Sequence, residues 1–119
     1  MTEPTFVDWE LLQRSFCRDK GLACVIAPPD SILGYAVATE GCSPVHGLRL
    51  QATIDNNGWY LWYGEYSTSE SFFSPVHVKH LFPNHALVIQ LLGLPPGYRF
   101  LMAENHLDIW YDPSLLRRP

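Results

Sequence analysis

The 119-residue chain has no stretch near the roughly eighteen consecutive apolar residues that a membrane-spanning helix needs. No membrane partner is therefore expected. Its opening, MTEPTFVDWE, has neither a basic stretch nor an apolar run of the secretory type. No signal peptide is expected, and the chain reads as cytoplasmic. Cysteine is scarce: Cys17, Cys24 and Cys42 make an odd count without C-x-x-C spacing. That fits free thiols in a reducing compartment, and nothing marks one as a catalytic nucleophile. Basic residues are few as well, 8 against 12 acidic, for a formal net charge of −4. Nucleic acid wants a basic patch on its partner, so it is not expected here. There is no G-x-S-x-G elbow, no glycine-rich phosphate loop and no H-E-x-x-H pair. The chain is read as no enzyme, with no cofactor and no metal.

What is present is an ordinary globular mixture, 47% hydrophobic and 17% charged. The length suits a single domain, residues 1–119, with a core of useful size. Residues 8–20, DWELLQRSFCRDK, space Trp9, Leu12 and Phe16 by three and four, which predicts an amphipathic helix that Gly21 can end. The apolar run LACVIA (22–27), closed by Pro28 and Pro29, predicts a buried strand, and ILGYAVAT (32–39) a second strand paired with it. Leu48, Leu50 and Ala52 alternate like a short strand. Asn57-Gly58 is a turn signal before GWYLWYGEYS (58–67). Ser67–Ser71 reads as polar loop. Ser74-Pro75 has the form of a helix start, with a Ser cap and Pro in the first turn. Pro83 interrupts that helix, Asn84 can recap it, and HALVIQLL runs to Gly93. YRFLMAE (98–104) and LDIWYD (107–112) form a final hairpin. The whole reads as α+β: a mostly antiparallel sheet with helices packed mainly on one face, the sheet and helix pair spanning 22–112.

Alternation along strands sorts the aromatic residues into two sets. In the hairpin, a two-residue turn at Asn105-His106 sets Met102 opposite Ile109 and Phe100 opposite Tyr111. It also sets Arg99 opposite Asp112, Leu101 opposite Trp110 and Ala103 opposite Asp108. A three-residue turn would put Arg99 on the core side, and an unpaired buried guanidinium costs several kcal/mol, on the order of. In the aromatic strand, Trp59, Leu61 and Tyr63 form the core set, and Tyr60 and Trp62 the other. The second face then carries Tyr60, Trp62, Leu101 and Trp110, rimmed by Arg99, Asp108 and Asp112. Aromatic residues beside acids form a candidate binding surface. The alternative is that the N-terminal helix covers that face. Glu65 and Glu70, in the loop 65–71, are further contact candidates, since loops on a rigid scaffold often carry binding. A second reading is a small enzyme or a metal or ligand binder using His77 and His80, one helical turn apart, with Glu65. His85 follows soon after, but no cysteine or carboxylate stands at ligand spacing. A third is a homodimer formed through the sheet.

The run G-W-Y-L-W-Y-G-E-Y-S (58–67), then F-F-S-P-V-H-V-K-H-L (72–81), L-G-L-P-P-G-Y-R-F-L-M-A (92–103) and D-I-W-Y-D (108–112), resembles the bacterial immunity-protein domain numbered thirty-three, a domain of unknown function. A-C-V-I-A (23–27) and G-Y-A-V (34–37) are similar too, so the resemblance covers roughly residues 22–116. The order and spacing of these segments carry it, since none is a catalytic signature. It implies a small cytoplasmic α+β protein of polymorphic-toxin or contact-dependent competition systems that binds and blocks a cognate toxin. No toxin-contact residues carry over from the family, so the surface above rests on the residues alone.

Overall fold

The computed structural model describes residues 6–81 and 86–117. The fold is α+β, with α1 (Phe6–Asp19), α2 (Ala86–Leu91) and one six-stranded sheet. The strands are β1 (Ile32–Tyr35), β2 (Val45–Arg49), β3 (Trp59–Tyr63), β4 (Ser74–His77), β5 (Tyr98–Ala103) and β6 (His106–Tyr111). The chain divides into two compact units. One is built from the chain up to Ser31 and from His77–Pro95, the other from Ile32–Val76 and Pro96 onward.

In the first unit α1 packs on α2. The expected helix is present, but its buried stripe is Trp9, Gln13 and Cys17, while Leu12 is exposed. The strand expected over 22–27 does not form. The segment lies outside the sheet, and it is not buried throughout: Ala23 and Val25 are exposed, and Ala27 is buried. The segment's backbone groups find other partners: Val25 N–H donates to Gly93 O at 2.8 Å, and the Gln13 carboxamide takes both groups of Ala27. A buried amide such as that of Ala27 needs a partner, but a ladder is not the only way to supply one. Val88, Ile89, Leu91 and Leu92 of α2 and the turn after it are buried. The proposed interruption and recapping of the helix at Pro83 and Asn84 lies outside the described residues.

The sheet order is β4-β1-β3-β2-β5-β6. β2 runs antiparallel to β3 and β5, and β5 antiparallel to β6, whereas β1 is parallel to β3. The expected strand over 32–39 is therefore shorter than read, and its neighbours are the aromatic strand β3 and β4 instead of 22–27. A 3-10 turn, Val37–Thr39, follows it. The start at Ser74-Pro75 is also a strand, not a helix. β4 is an edge strand, where proline's missing amide is tolerated, and Val78–Leu81 then makes a 3-10 turn.

One sheet face buries Trp59, Leu61, Tyr63, Phe100, Leu33 and Tyr35. Trp59 and Phe100 lie 5.6 Å apart across the intervening β2, where Gly47 stands between Leu61 and Phe100. A Cβ at Gly47 would run into the Phe100 ring, so glycine there makes room for a large side chain from the next strand. Arg49 shares this face. Its Nε donates to Asn57 O at 3.0 Å and its guanidinium lies 5.6 Å from the Trp59 ring.

Candidate functional site

The hairpin keeps the expected face assignment with a corrected register. Met102 pairs with Leu107, Phe100 with Ile109 and Arg99 with Trp110, so the two-residue turn is Glu104-Asn105. Asn105 takes a φ of 61°, a left-handed conformation that Asn accepts more readily than His. Shifting every pair by two in sum leaves side chains on their original faces. Arg99 thus meets Asp112 diagonally, at 3.1 Å from Nη1 to Oδ2, with Trp110 directly across.

The ladders place Tyr60, Trp62, His46, Leu48, Arg99, Leu101, Asp108 and Trp110 on the sheet face opposite the Trp59 set. The two ends of this face differ. Around β3 it is covered by its own chain. Trp62 is 5% exposed. Its indole stacks on His46, with centroids 5.0 Å apart and planes 17° apart. Tyr66 and Phe73 meet it edge-on at 5.3 and 6.1 Å. Tyr60 packs on Phe73 at 5.1 Å and accepts a hydrogen bond from Asn56 Nδ2 at 3.2 Å. The loop read as a polar connector therefore ends in an aromatic clamp of Tyr66, Phe72 and Phe73. The adjacent Phe72-Phe73 pair was the sequence signal for it. Leu48, Leu50, Tyr60, Tyr66, Phe73 and Leu115 line an apolar cavity of about 350 Å³ beside the clamp.

Over β5 and β6 the face is open. Trp110 is 42% exposed, with the Arg99 guanidinium 5.9 Å from its ring centre. Asp112 accepts from the Ser114 hydroxyl at 2.6 Å and its amide at 3.1 Å, capping the 3-10 turn Pro113–Leu116. The Ser114 hydroxyl first, and Arg99 next, hold the Asp112 carboxyl below its ordinary range. Asp108 Oδ2 lies 2.9 Å from His106 Nε2. Glu65 and Glu70 are exposed on the loop and make no hydrogen bond or ion pair among the described residues. The eight expected contact residues thus separate: Arg99, Asp108, Trp110 and Asp112 stand together, Tyr60 and Trp62 lie under the clamp, and Glu65 and Glu70 stand on its loop. Burial first, and the Arg99 charge second, push the His46 imidazole below its ordinary range.

On the core face, Tyr35 Oη lies 2.9 Å from Glu40 Oε2 and 3.1 Å from Tyr63 Oη. Its one proton goes to the carboxylate, which can only accept, so the Tyr63 hydroxyl donates to the Tyr35 oxygen. Burial is the first reason that both phenols resist ionisation. His77 and His80 sit at the end of β4 and in the 3-10 turn after it, with ring centres 5.5 Å apart. Among the described residues no three His, Cys, Asp or Glu side chains gather as a metal site would require. His85 lies outside those residues. Among the described residues no helix is long and apolar enough to cross a membrane.

No curated protein and no solved structure matches the chain. The Imm33-like domain matches residues 12–112, which takes in α1 from residue 12 on, α2 and all six strands. The chain belongs to the Imm33-like family.

Proposed function

We propose that the chain is an immunity-type protein that binds a cognate bacterial toxin in the cytoplasm and blocks it by protein–protein contact, without catalysis of its own. Family membership supports the class of function. The observation that carries the contact surface is Trp110, a large aromatic ring left open on β6 and bordered by Arg99, Asp108 and Asp112. Exposed tryptophan framed by paired charges is the composition of an interface anchor with a polar rim. The rim charges are already paired within the chain, so they are pre-oriented and cost little further ordering on binding.

The test is affinity capture with the tagged chain from its native bacterium, followed by a growth assay. The expected partner carries a domain that arrests growth when expressed alone and is harmless when the chain is co-expressed. Trp110→Ala should lose that protection while remaining folded. Recovery of the chain without a growth-arresting partner would overturn the proposal.

A further inference from the structure

The two edges of the sheet differ. β4 carries Pro75, which has no amide to offer, while β6 (HLDIWY) has neither the proline nor the lysine that commonly blocks an edge. The direction of the free backbone groups on β6 follows from the ladder. Asp112 N–H donates inward to Gly97 O at 2.7 Å. Successive residues of a strand point their amides to opposite sides, so those of His106, Asp108 and Trp110 also face β5. The N–H and C=O groups of Leu107, Ile109 and Tyr111 face outward. Those same three residues set their side chains together on one face, opposite the face that carries Trp110.

We propose that this edge pairs with the same edge of a second copy, antiparallel, with Ile109 on the twofold axis. An isologous contact must satisfy itself, and three registers bring outward amides together over most of the strand. Placing Leu107 opposite Ile109 of the other copy sets Asp108 against Asp108. Placing Ile109 opposite Tyr111 of the other copy sets Asp108 against Asp112. With Ile109 opposite Ile109, no acids face each other. Leu107 then meets Tyr111, Asp108 meets Trp110, and His106 meets Asp112 of the other copy, which are of opposite charge when the imidazole is protonated. Like charges directly opposite disfavour a pairing, so electrostatics selects this register. The side chains of Leu107, Ile109 and Tyr111 join into one stripe across the axis, and the face bearing Trp110 stays open on both copies. The pairing is independent of the toxin proposal.

Sedimentation equilibrium on the full chain should give a mass twice the 13.6 kDa of one chain. Leu107→Pro removes an outward amide that β5 does not use, and the twofold axis removes it twice. It should weaken the dimer on the order of a hundredfold while leaving the circular dichroism unchanged. The register has its own test in a Cys42→Ser background. Ile109→Cys should cross-link on mild oxidation, because opposed bonded residues lie about 5.5 Å apart at Cα. Asp108→Cys should not, because its two copies would be roughly 8 Å apart. A monomer at all concentrations, or Asp108→Cys cross-linking as readily as Ile109→Cys, would overturn the proposal.

Discussion

The carboxamide of Gln13 satisfies both backbone groups of Ala27: Nε2 donates to Ala27 O at 3.0 Å, and Ala27 N–H donates to Oε1 at 2.8 Å. One side chain on α1 thus does for Ala27 what a neighbouring strand would have done. Gln13 is 1% exposed, so water cannot take over if it is removed. Gln13→Leu keeps similar volume but leaves a donor and an acceptor buried and unpaired. It should lower unfolding stability by about 3 kcal/mol, measured by urea denaturation. A change below about 1 kcal/mol would mean that the segment re-pairs elsewhere.

Trp62 and Trp110 stand on one sheet face but in different surroundings, and the same substitution separates them. Trp62→Ala empties the space between His46, Tyr66 and Phe73 and should cost about 3–5 kcal/mol of stability. Trp110→Ala removes a partly open ring and should change stability by less than about 1 kcal/mol. Its effect belongs on toxin binding, with a loss of about 2 kcal/mol or more. Thermal unfolding of the two variants, alongside calorimetric titration with the captured toxin, checks both halves.

The His46 imidazole ionises less readily in the folded state than at its ordinary value of 6.5. The unfolded chain therefore binds the proton first as pH falls. The contribution to stability is complete above 6.5 and is lost as pH drops from there through the lower folded-state value. Proton resonances of the His46 ring should titrate below 6.5, and His46→Phe should flatten the urea midpoint over that window. A titration at or above the ordinary value would contradict the packing against Trp62.

Gly47 leaves room for the Phe100 ring on the core face. Gly47→Ala should cost about 1–3 kcal/mol through overpacking, even though alanine suits a strand better than glycine. If Phe100 is simultaneously cut to Leu, part of that cost should return, a coupling that a double-mutant cycle would measure. Strict additivity would show that the two positions do not share space.

The sequence by itself determined the elements whose signal is local. The spacing of apolar residues gave α1, Asn57-Gly58 announced β3, and alternation sorted both faces of β3, β5 and β6. Even with the hairpin turn displaced by one residue, the face assignment survived, because moving a turn that way preserves side-chain parity. The tertiary structure decided whatever depended on a distant partner. The apolar run 22–27 reads alike as a strand or as a segment held by a side-chain amide, and only Gln13 distinguishes the two. Ser74-Pro75 fits a helix start and an edge strand equally well, since both tolerate a missing amide. Trp62 and Trp110 alternate onto the same face, but burial is set by what lies above that face. Tyr66 and Phe73 cover Trp62 and leave Trp110 open, a choice that no pattern within either strand encodes.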